Sequence, residues 1–221
     1  MRTSHSLNFG WKYSPEFTED MINVSFDDSK FQIVDIPHTN KELPLNYFDE
    51  KSYQFVSCYR KSFDIGKKAK DKRYILHFEG AAVYSKVYLN GEFFGEYKGA
   101  YNAFTFDITD KVKAKDNLLV VELDSTERKE IPPFGNVVDY LVYGGIYRDV
   151  RLVVLNKQHF DMDFYGGSGL AVSAEVKEND ADVWVRTWSN TENATVNIKI
   201  FDDLGVEVAT GDGNDTHLTV Y

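Results

Sequence analysis

The chain has 221 residues, a formal net charge of −10 and one cysteine, Cys58. An acidic chain without a basic stripe repels phosphates, so we expect no nucleic-acid partner, and a single cysteine excludes an intrachain disulfide. The N-terminal residues lack the apolar region of a signal peptide and no apolar run is long enough to span a bilayer, so the sequence predicts a cytoplasmic protein without a membrane partner.

The N-terminal part of the chain predicts three strands separated by polar loops. Apolar residues alternate with others over residues 7–13, which is the pattern of a half-buried strand. Residues 14–30 are polar and predict irregular structure. Further strands are expected over Phe31–Ile36, which ends in Pro37-His38-Thr39-Asn40, and over Gln54–Ile65.

Residues 74–117 predict a close succession of strands and turns. Val83, Ser85, Val87 and Leu89 alternate with larger polar and aromatic residues, as in a strand with one buried face. Asn90-Gly91 follows, and because both residues tolerate positive φ they predict a type I′ hairpin. Phe104 and Phe106 lie in another strand, after which Thr109 is expected to cap a short helical turn.

After the strand over Leu118–Leu123 comes a loop of about twenty residues that contains Asp139. A loop of that length without secondary structure in a compact domain is usually functional. Ile146–Leu155 is expected to be the last strand of the first domain. Gly144 and Gly145 precede it and predict an unusual φ or a close approach between backbones.

The charge of the chain changes near residue 156. Residues 156–221 carry four Lys and Arg against twelve Asp and Glu, whereas residues 1–155 carry 21 against 23. Strands are expected over Leu170–Val176, Asp182–Trp188 and Thr195–Phe201, with at most one more. Short strands at this spacing are typical of an immunoglobulin-like sandwich, which needs about seven. We therefore expect an all-β protein with domains over 1–155 and 156–221, the second incomplete.

Six short segments together resemble the N-terminal sugar-binding domain of family 2 glycoside hydrolases, and among them β-galactosidases most. In chain order they are F-E-G-A-A (78–82), V-Y-L-N-G (87–91), G-E-Y-K-G-A-Y (95–101), F-D-I-T (106–109), N-L-L-V-V (117–121) and G-G-I-Y-R-D-V (144–150). The resemblance implies a jelly-roll β-sandwich of the galactose-binding-domain type, followed by the start of an immunoglobulin-like domain. It also implies that catalysis belongs to a downstream TIM barrel of the parent chain, which needs about 250 residues of its own.

The same resemblance implies substrate-binding residues. An aspartate at the place of Asp139 binds sugar hydroxyls in similar β-galactosidases and helps to ligate sodium, although the residue type alone also fits an exposed loop aspartate or a turn cap. Thr39 and Asn40 are further candidates for a sugar contact; the family's asparagine corresponds to the position that Thr39 occupies here. Any Na⁺ or Mg²⁺ is expected only in the full-length enzyme.

Other candidate residues are expected to be structural. His38 is interpreted as a hydrogen-bonded structural histidine, Arg148 and Asp149 as structural or interface residues, and Cys58 as a buried, inert thiol. Core packing is the expectation for Trp184 and Trp188, and core or interface packing for Tyr97, Tyr101, Tyr140 and Tyr143, although exposed rings of either type also suit sugar stacking.

Three functions stay open on the sequence. The first is the non-catalytic front part of a family 2 glycosidase, which binds a β-galactoside or a related sugar, docks on its own barrel and belongs to an enzyme that is often a homo-oligomer. The second is a free-standing carbohydrate-binding module. The third is a β protein without a sugar role. Within the first, β-glucuronidase and β-mannosidase are alternatives to β-galactosidase.

Overall fold

A computed structural model describes residues 2–46, 49–135, 140–162, 165–191 and 193–221. Their regular structure consists of strands and two short 3-10 helices, Glu19–Ile22 and Glu50–Tyr53, which confirms the predicted all-β fold. The described residues contain no helix with the length and apolar character needed to cross a membrane. The chain divides into two compact units, unit 1 over Met1–Asn156 and unit 2 over Lys157–Tyr221.

Unit 1 contains two antiparallel sheets. Its strands are β1 (Thr3–Ser6), β2 (Trp11–Ser14), β3 (Gln32–Val34), β4 (Val56–Phe63), β5 (Lys72–Phe78), β6 (Tyr84–Leu89), β7 (Glu92–Lys98), β8 (Phe104–Asp107), β9 (Asn117–Asp124) and β10 (Val150–Asn156). One sheet has the order β1-β10-β5-β8 and the other the order β3-β2-β4-β9-β6-β7.

The main core of unit 1 is built from the inward-facing side chains of both sheets. Trp11, Tyr59 and Leu119 contribute from the six-stranded sheet, and Leu76 and Phe78 from the four-stranded sheet. All five are fully buried. Because a strand directs alternate side chains to opposite faces, each strand supplies this core with every second residue. The two sheets therefore form a sandwich.

The N-terminal strand differs from the prediction. Instead of one strand over residues 7–13, the chain forms β1 in the four-stranded sheet and β2 in the six-stranded sheet. Gly10, at φ 69°, lies between them, and the Trp11 indole donates a hydrogen bond to the Leu7 carbonyl at 2.6 Å. Leu7 before this break and Trp11 and Tyr13 after it lie in the same core, whereas Phe9 between them is exposed.

Residues 14–30, predicted to be irregular, cover the outer face of the six-stranded sheet. Met21 lies in a second buried cluster with Cys58 and Val120, against which Phe17 and Phe26 pack. The Arg60 guanidinium, nearly fully buried, donates to the Asp28 carboxylate at 2.9 Å. This ion pair and the apolar contacts hold the segment on the sheet.

Of the two turns predicted within residues 74–117, the one at Asn90-Gly91 is confirmed and the one at Thr109 has a different structure. Asn90 and Gly91 have φ angles of 56° and 90°, which confirms the predicted hairpin. Thr109 does not cap a helix. The Asp107 carboxylate accepts a hydrogen bond from the Thr109 amide at the start of a single turn. The Thr109 hydroxyl instead accepts a hydrogen bond from the Tyr74 amide at 2.8 Å.

The described part of unit 2 has five strands, more than the sequence predicted. They are β11 (Leu170–Val176), β12 (Ala181–Thr187), β13 (Asn197–Phe201), β14 (Glu207–Asp212) and β15 (Asp215–Val220), in sheets of order β11-β12-β15 and β13-β14. Val183 and Val185 of β12 face the core. Trp184 therefore points outward, is 39% exposed and stacks on His217, so the prediction that it packs in the core is wrong.

Candidate functional site at the loop end of unit 1

Three of the segments singled out in the sequence meet at one end of the unit 1 sandwich. The His38 amide donates to the Ile146 carbonyl at 2.8 Å, and the Asn40 amide donates to the Gly144 carbonyl at 2.9 Å. On the other side, Gly145 and Ala82 exchange two backbone hydrogen bonds of 3.0 and 3.3 Å. Segments 37–40, 80–82 and 144–146 thus form a short ladder, which we call the loop end.

The two glycines of the loop end allow the backbones to approach this closely. Gly145 has φ 124°, and a Cβ atom there would clash with the His38 carbonyl oxygen and lie 2.9 Å from the Asn40 nitrogen. A Cβ atom on Gly144 would clash with the Ser125 hydroxyl and lie 2.5 Å from the Asn40 side-chain nitrogen. The prediction of an unusual φ or a close backbone approach is confirmed.

Asn40 holds the loop end together from inside. Its side chain is only 4% exposed, and its Nδ2 atom donates to the Tyr53 carbonyl at 2.8 Å and to the Ser125 hydroxyl at 3.1 Å. Ser125 in turn donates to the Ala82 carbonyl at 3.2 Å. The Asn40 Oδ1 atom is buried and has no hydrogen-bond partner among the residues that the structure describes.

Thr39 lies beside Asn40 but faces the surface. It is half-buried, and its hydroxyl donates to the carbonyls of Gly144 and Lys41, each at 3.3 Å. Thr39, Leu141 and Tyr143 line an open cleft between segments 39–45 and 141–143. Of the two adjacent candidates, Thr39 is therefore the one that a ligand in the cleft can reach directly.

His38 is bound within the domain, as predicted. Its Nδ1 atom lies 2.9 Å from the Tyr59 hydroxyl, and its ring packs against that of Tyr13 with centroids 4.8 Å apart. Burial lowers the pKa of His38, since a charged imidazolium is less favourable away from water. The ring is consequently neutral at pH 7, and its role here is structural.

Asp139 lies outside the described residues, together with residues 136–138. The described segments on either side are anchored in a small buried cluster, to which Ile131 contributes from one side and Val142 from the other. Before the gap, the Gly135 amide also donates to the Arg128 carbonyl at 2.9 Å. The long loop is thus attached to the loop end at both of its described flanks.

The arginine and aspartate that follow the glycines have structural contacts. The Asp149 carboxylate accepts a hydrogen bond from the Asn8 side chain at 3.0 Å and pairs with Arg151 at 2.7 Å. The Arg148 guanidinium lies over the Tyr147 ring, 5.5 Å from its centroid. Both contacts agree with the predicted structural role.

The described residues contain no cluster of metal ligands, and the thiol of Cys58 is inert. Among them, no three His, Cys, Asp or Glu side chains come together to hold a metal ion. Burial raises the pKa of Cys58 to about 12, so its thiol is protonated and unreactive at neutral pH, as predicted.

The arrangement of the loop end suits the binding of a hydroxylated ligand. The cleft beside Thr39 is lined by the polar side chains of Thr39, Lys41, Glu42 and Tyr143, which can hydrogen-bond to hydroxyl groups, and by the apolar side chains of Leu43, Pro44, Leu45 and Leu141. The sequence did not single out Ser125 or Tyr53, which connect Asn40 to its neighbours. Nothing in the residue types marks these two, because their role follows only from what the fold brings beside them.

The comparisons with known proteins agree with the all-β fold. Residues 11–156 match the family described as glycosyl hydrolases family 2, sugar binding domain. A β-galactosidase of Thermoanaerobacter pseudethanolicus is 48% identical over 156 residues, which are 70% of this chain and 21% of that protein. A putative β-glucuronidase of Formosa agariphila is 31% identical over 213 residues, which are 95% of this chain and 25% of that protein.

Among solved structures, that of Bacteroides uniformis β-glucuronidase 2 bound covalently to a cyclophellitol-derived aziridine has a TM-score of 0.81 and 27% identity to this chain. The match covers 100% of this chain and 26% of that one. This chain therefore spans about a fifth to a quarter of the length of these proteins. The chain belongs to glycosyl hydrolase family 2, and residues 11–156 are its sugar-binding domain.

Proposed function

We propose that this chain is the front part of an enzyme that hydrolyses terminal β-linked sugars, with β-galactosides as the preferred substrates. The observation that carries the proposal is the 48% identity to a β-galactosidase over 156 residues, which are 70% of this chain. In this proposal a TIM barrel of the parent chain supplies the two catalytic carboxylates, which a retaining glycosidase needs about 5–5.5 Å apart.

The loop end forms one edge of the substrate site in this proposal. Asp139 reaches beyond unit 1 and accepts hydrogen bonds from two neighbouring sugar hydroxyls, and Thr39 contacts the sugar from the cleft. The contacts of Thr39 with Gly144 and of Asn40 with Gly144 support this placement, because they bring the Thr39 segment next to the long loop.

Asn40 differs from Thr39 in what a sugar contact requires. Its side-chain Nδ2 atom already donates to Tyr53 and Ser125. Only the buried Oδ1 atom is therefore left to accept a hydrogen bond from a sugar hydroxyl. A contact between Asn40 and sugar therefore requires the loop end to open slightly. In the closed state, Asn40 serves the site by keeping Thr39 and Gly144 in place.

A sodium ion near Asp139 is a proposal for the full-length enzyme only. The described residues do not converge on a cation site, so most oxygen ligands would come from elsewhere in the parent chain. Such an ion would help to orient sugar hydroxyls. We assign no step of the reaction to it.

Unit 2 is proposed to be the beginning of an immunoglobulin-like domain. Its described strands are fewer than the seven of such a sandwich. In β11, Leu170, Val172 and Val176 are all exposed, 47% to 79%. Apolar side chains on a regular strand are normally covered by a facing sheet, and further strands of the same domain would cover them.

The test of this proposal is hydrolysis by the full-length enzyme. We expect kcat/KM for a p-nitrophenyl β-galactoside to exceed that for the corresponding β-glucuronide by a factor of at least about 100, which corresponds to roughly 2.8 kcal/mol. Comparable or reversed values would reject the galactoside preference, and inactivity towards both would reject both the β-galactosidase and the β-glucuronidase.

The β-glucuronidase alternative is supported by specific observations. The 31% identity to a putative β-glucuronidase extends over nearly the whole chain, and so does the structural similarity to Bacteroides uniformis β-glucuronidase 2. A glucuronide carries a carboxylate that a galactoside lacks. The same pair of substrates therefore separates the two readings.

A free-standing carbohydrate-binding module is the second class of function. One charge-assisted hydrogen bond contributes about 1.5–3 kcal/mol, whereas a Kd of 1 mM requires about 4.1 kcal/mol. We therefore expect titration calorimetry of the isolated chain with galactose to show no binding stronger than millimolar. A sub-millimolar Kd would favour the module.

A cytoplasmic location and homo-oligomer formation are proposed for the parent enzyme from the sequence alone.

A further inference from the structure

Two exposed tyrosines lie side by side near the loop end. Tyr101 is 41% exposed and Tyr140 is 53% exposed. Partial burial and the neighbouring Tyr140 side chain raise the pKa of Tyr101 to about 12. Its phenol is therefore neutral at pH 7, and the pair presents aromatic rings together with uncharged hydroxyl groups.

Both tyrosines are attached to the same small core. Ala100 precedes Tyr101, Val142 follows Tyr140 by two residues, and the two apolar side chains are buried in one cluster with Ile131. The Ala100 amide also donates to the Pro132 carbonyl at 3.2 Å. The backbone beneath each ring is thus fixed to the backbone beneath the other.

Tyr147 and Arg148 support Tyr101 from the strand side. The Tyr147 hydroxyl donates to the Ala100 carbonyl, and its ring meets the Tyr101 ring edge-on with centroids 6.4 Å apart. The Arg148 guanidinium donates to the Tyr101 carbonyl at 3.4 Å. Tyr101 is thus held by contacts on its inner side and is exposed on its outer side, so a ligand that binds its ring costs little ordering entropy in the protein.

The chemistry of this surface matches a sugar ring. A pyranose has an apolar face of C–H groups and an edge of hydroxyls, and a tyrosine offers a ring face and a polar end in the same way. We propose that the Tyr101–Tyr140 pair binds the leaving-group sugar of a β-linked disaccharide or longer substrate. This inference rests on the proposed function.

The leaving-group sugar is a better fit for this pair than the terminal sugar. A glycosidase that removes a terminal residue must enclose that residue to exclude water, and the rest of the substrate then projects outward. Tyr101 and Tyr140 are exposed on unit 1, and Tyr140 directly precedes Leu141, which lines the cleft beside Thr39. They are therefore placed to meet the projecting part of the substrate.

The experiment compares two substrates in the full-length enzyme: lactose, which has a sugar as its leaving group, and β-galactosyl fluoride, which has a single atom. For Tyr101→Ala we expect kcat/KM for lactose to fall about tenfold, the factor that 1.4 kcal/mol produces. The loss with the fluoride should be several times smaller. Tyr101→Phe, which keeps the ring, should retain most of the lactose activity.

Two further variants separate a sugar contact from misfolding and from a loss of activity on every substrate. Tyr140→Ala changes the more exposed ring and should reproduce the selective loss with lactose. Phe93→Ala removes an aromatic side chain that is 58% exposed on β7, close to the Asn90-Gly91 turn of the β6–β7 hairpin, and should change neither activity.

Each remaining outcome counts against the inference. An equal loss with both substrates would show that the pair supports the domain or its docking instead of a sugar. No loss with lactose, or a wild-type enzyme that cleaves the fluoride but no disaccharide, would also overturn it. A wild-type enzyme inactive on the fluoride and the p-nitrophenyl galactoside would instead reject the proposed function.

Discussion

Replacing Asp139 with alanine in the full-length enzyme is expected to lower kcat/KM for β-galactosides by about 100-fold or more. In the proposed site the carboxylate accepts from two neighbouring sugar hydroxyls, and each charge-assisted hydrogen bond contributes about 1.5–3 kcal/mol. Steady-state kinetics on the purified enzyme measures the change. The melting temperature of unit 1 should stay the same, because the loss concerns the substrate and not the core.

Two comparisons make this result specific. Asp139→Asn keeps the shape and one acceptor oxygen but removes the charge, so we expect an intermediate loss. Asp110→Ala changes an exposed aspartate in the turn after β8 and should leave the kinetics unaltered. If Asp139→Ala matched Asp110→Ala, Asp139 would be an ordinary loop residue and the proposed edge of the site would lose its main contact.

Substituting Gly145 by alanine should destabilise unit 1 by about 2–6 kcal/mol. The residue has φ 124°, and a Cβ atom would run into the His38 carbonyl. Backbone strain of this kind costs about 1–3 kcal/mol, and displacing a packed segment adds about 1–3 kcal/mol. Thermal unfolding of the chain should show a melting temperature lower by roughly 10 °C.

Gly66 provides the matched control for this substitution. It has φ 70°, in the left-handed region, but a Cβ atom there would have no neighbour within 4 Å. Gly66→Ala should therefore cost only the backbone term, about 1–2 kcal/mol. If both variants unfolded at the same temperature, the close contact between Gly145 and segment 38–40 would not matter for stability.

The difference between these glycines shows how far the sequence alone reaches. Gly144-Gly145 before a strand predicted an unusual φ or a close approach, and both occur. The partner in that approach, His38 to Asn40, lies about one hundred positions earlier in the chain. Residue types cannot identify a partner at that distance, since the pairing depends on which strands become neighbours in the sandwich.

Trp184 and Asn40 show the same limit for single side chains. The alternation in residues 181–188 left open which face of β12 is buried. In the structure the buried face carries Val183 and Val185, because Val196 and Ile198 pack against them. The family resemblance made Asn40 a candidate for a sugar contact. In the fold its side-chain nitrogen donates to Tyr53 and Ser125, and no local pattern encodes these two contacts.

By itself the sequence determined the all-β architecture, the Asn90-Gly91 hairpin, most strand positions and the family. These follow from local properties: side-chain alternation, tolerance of positive φ, and short motifs in a fixed order. Only the tertiary structure decided the split of the first strand between two sheets, the ladder that joins segments 37–40 and 144–146, and the exposure of the Tyr101–Tyr140 pair. These depend on contacts between residues far apart in the chain, which form only when the two sheets pack.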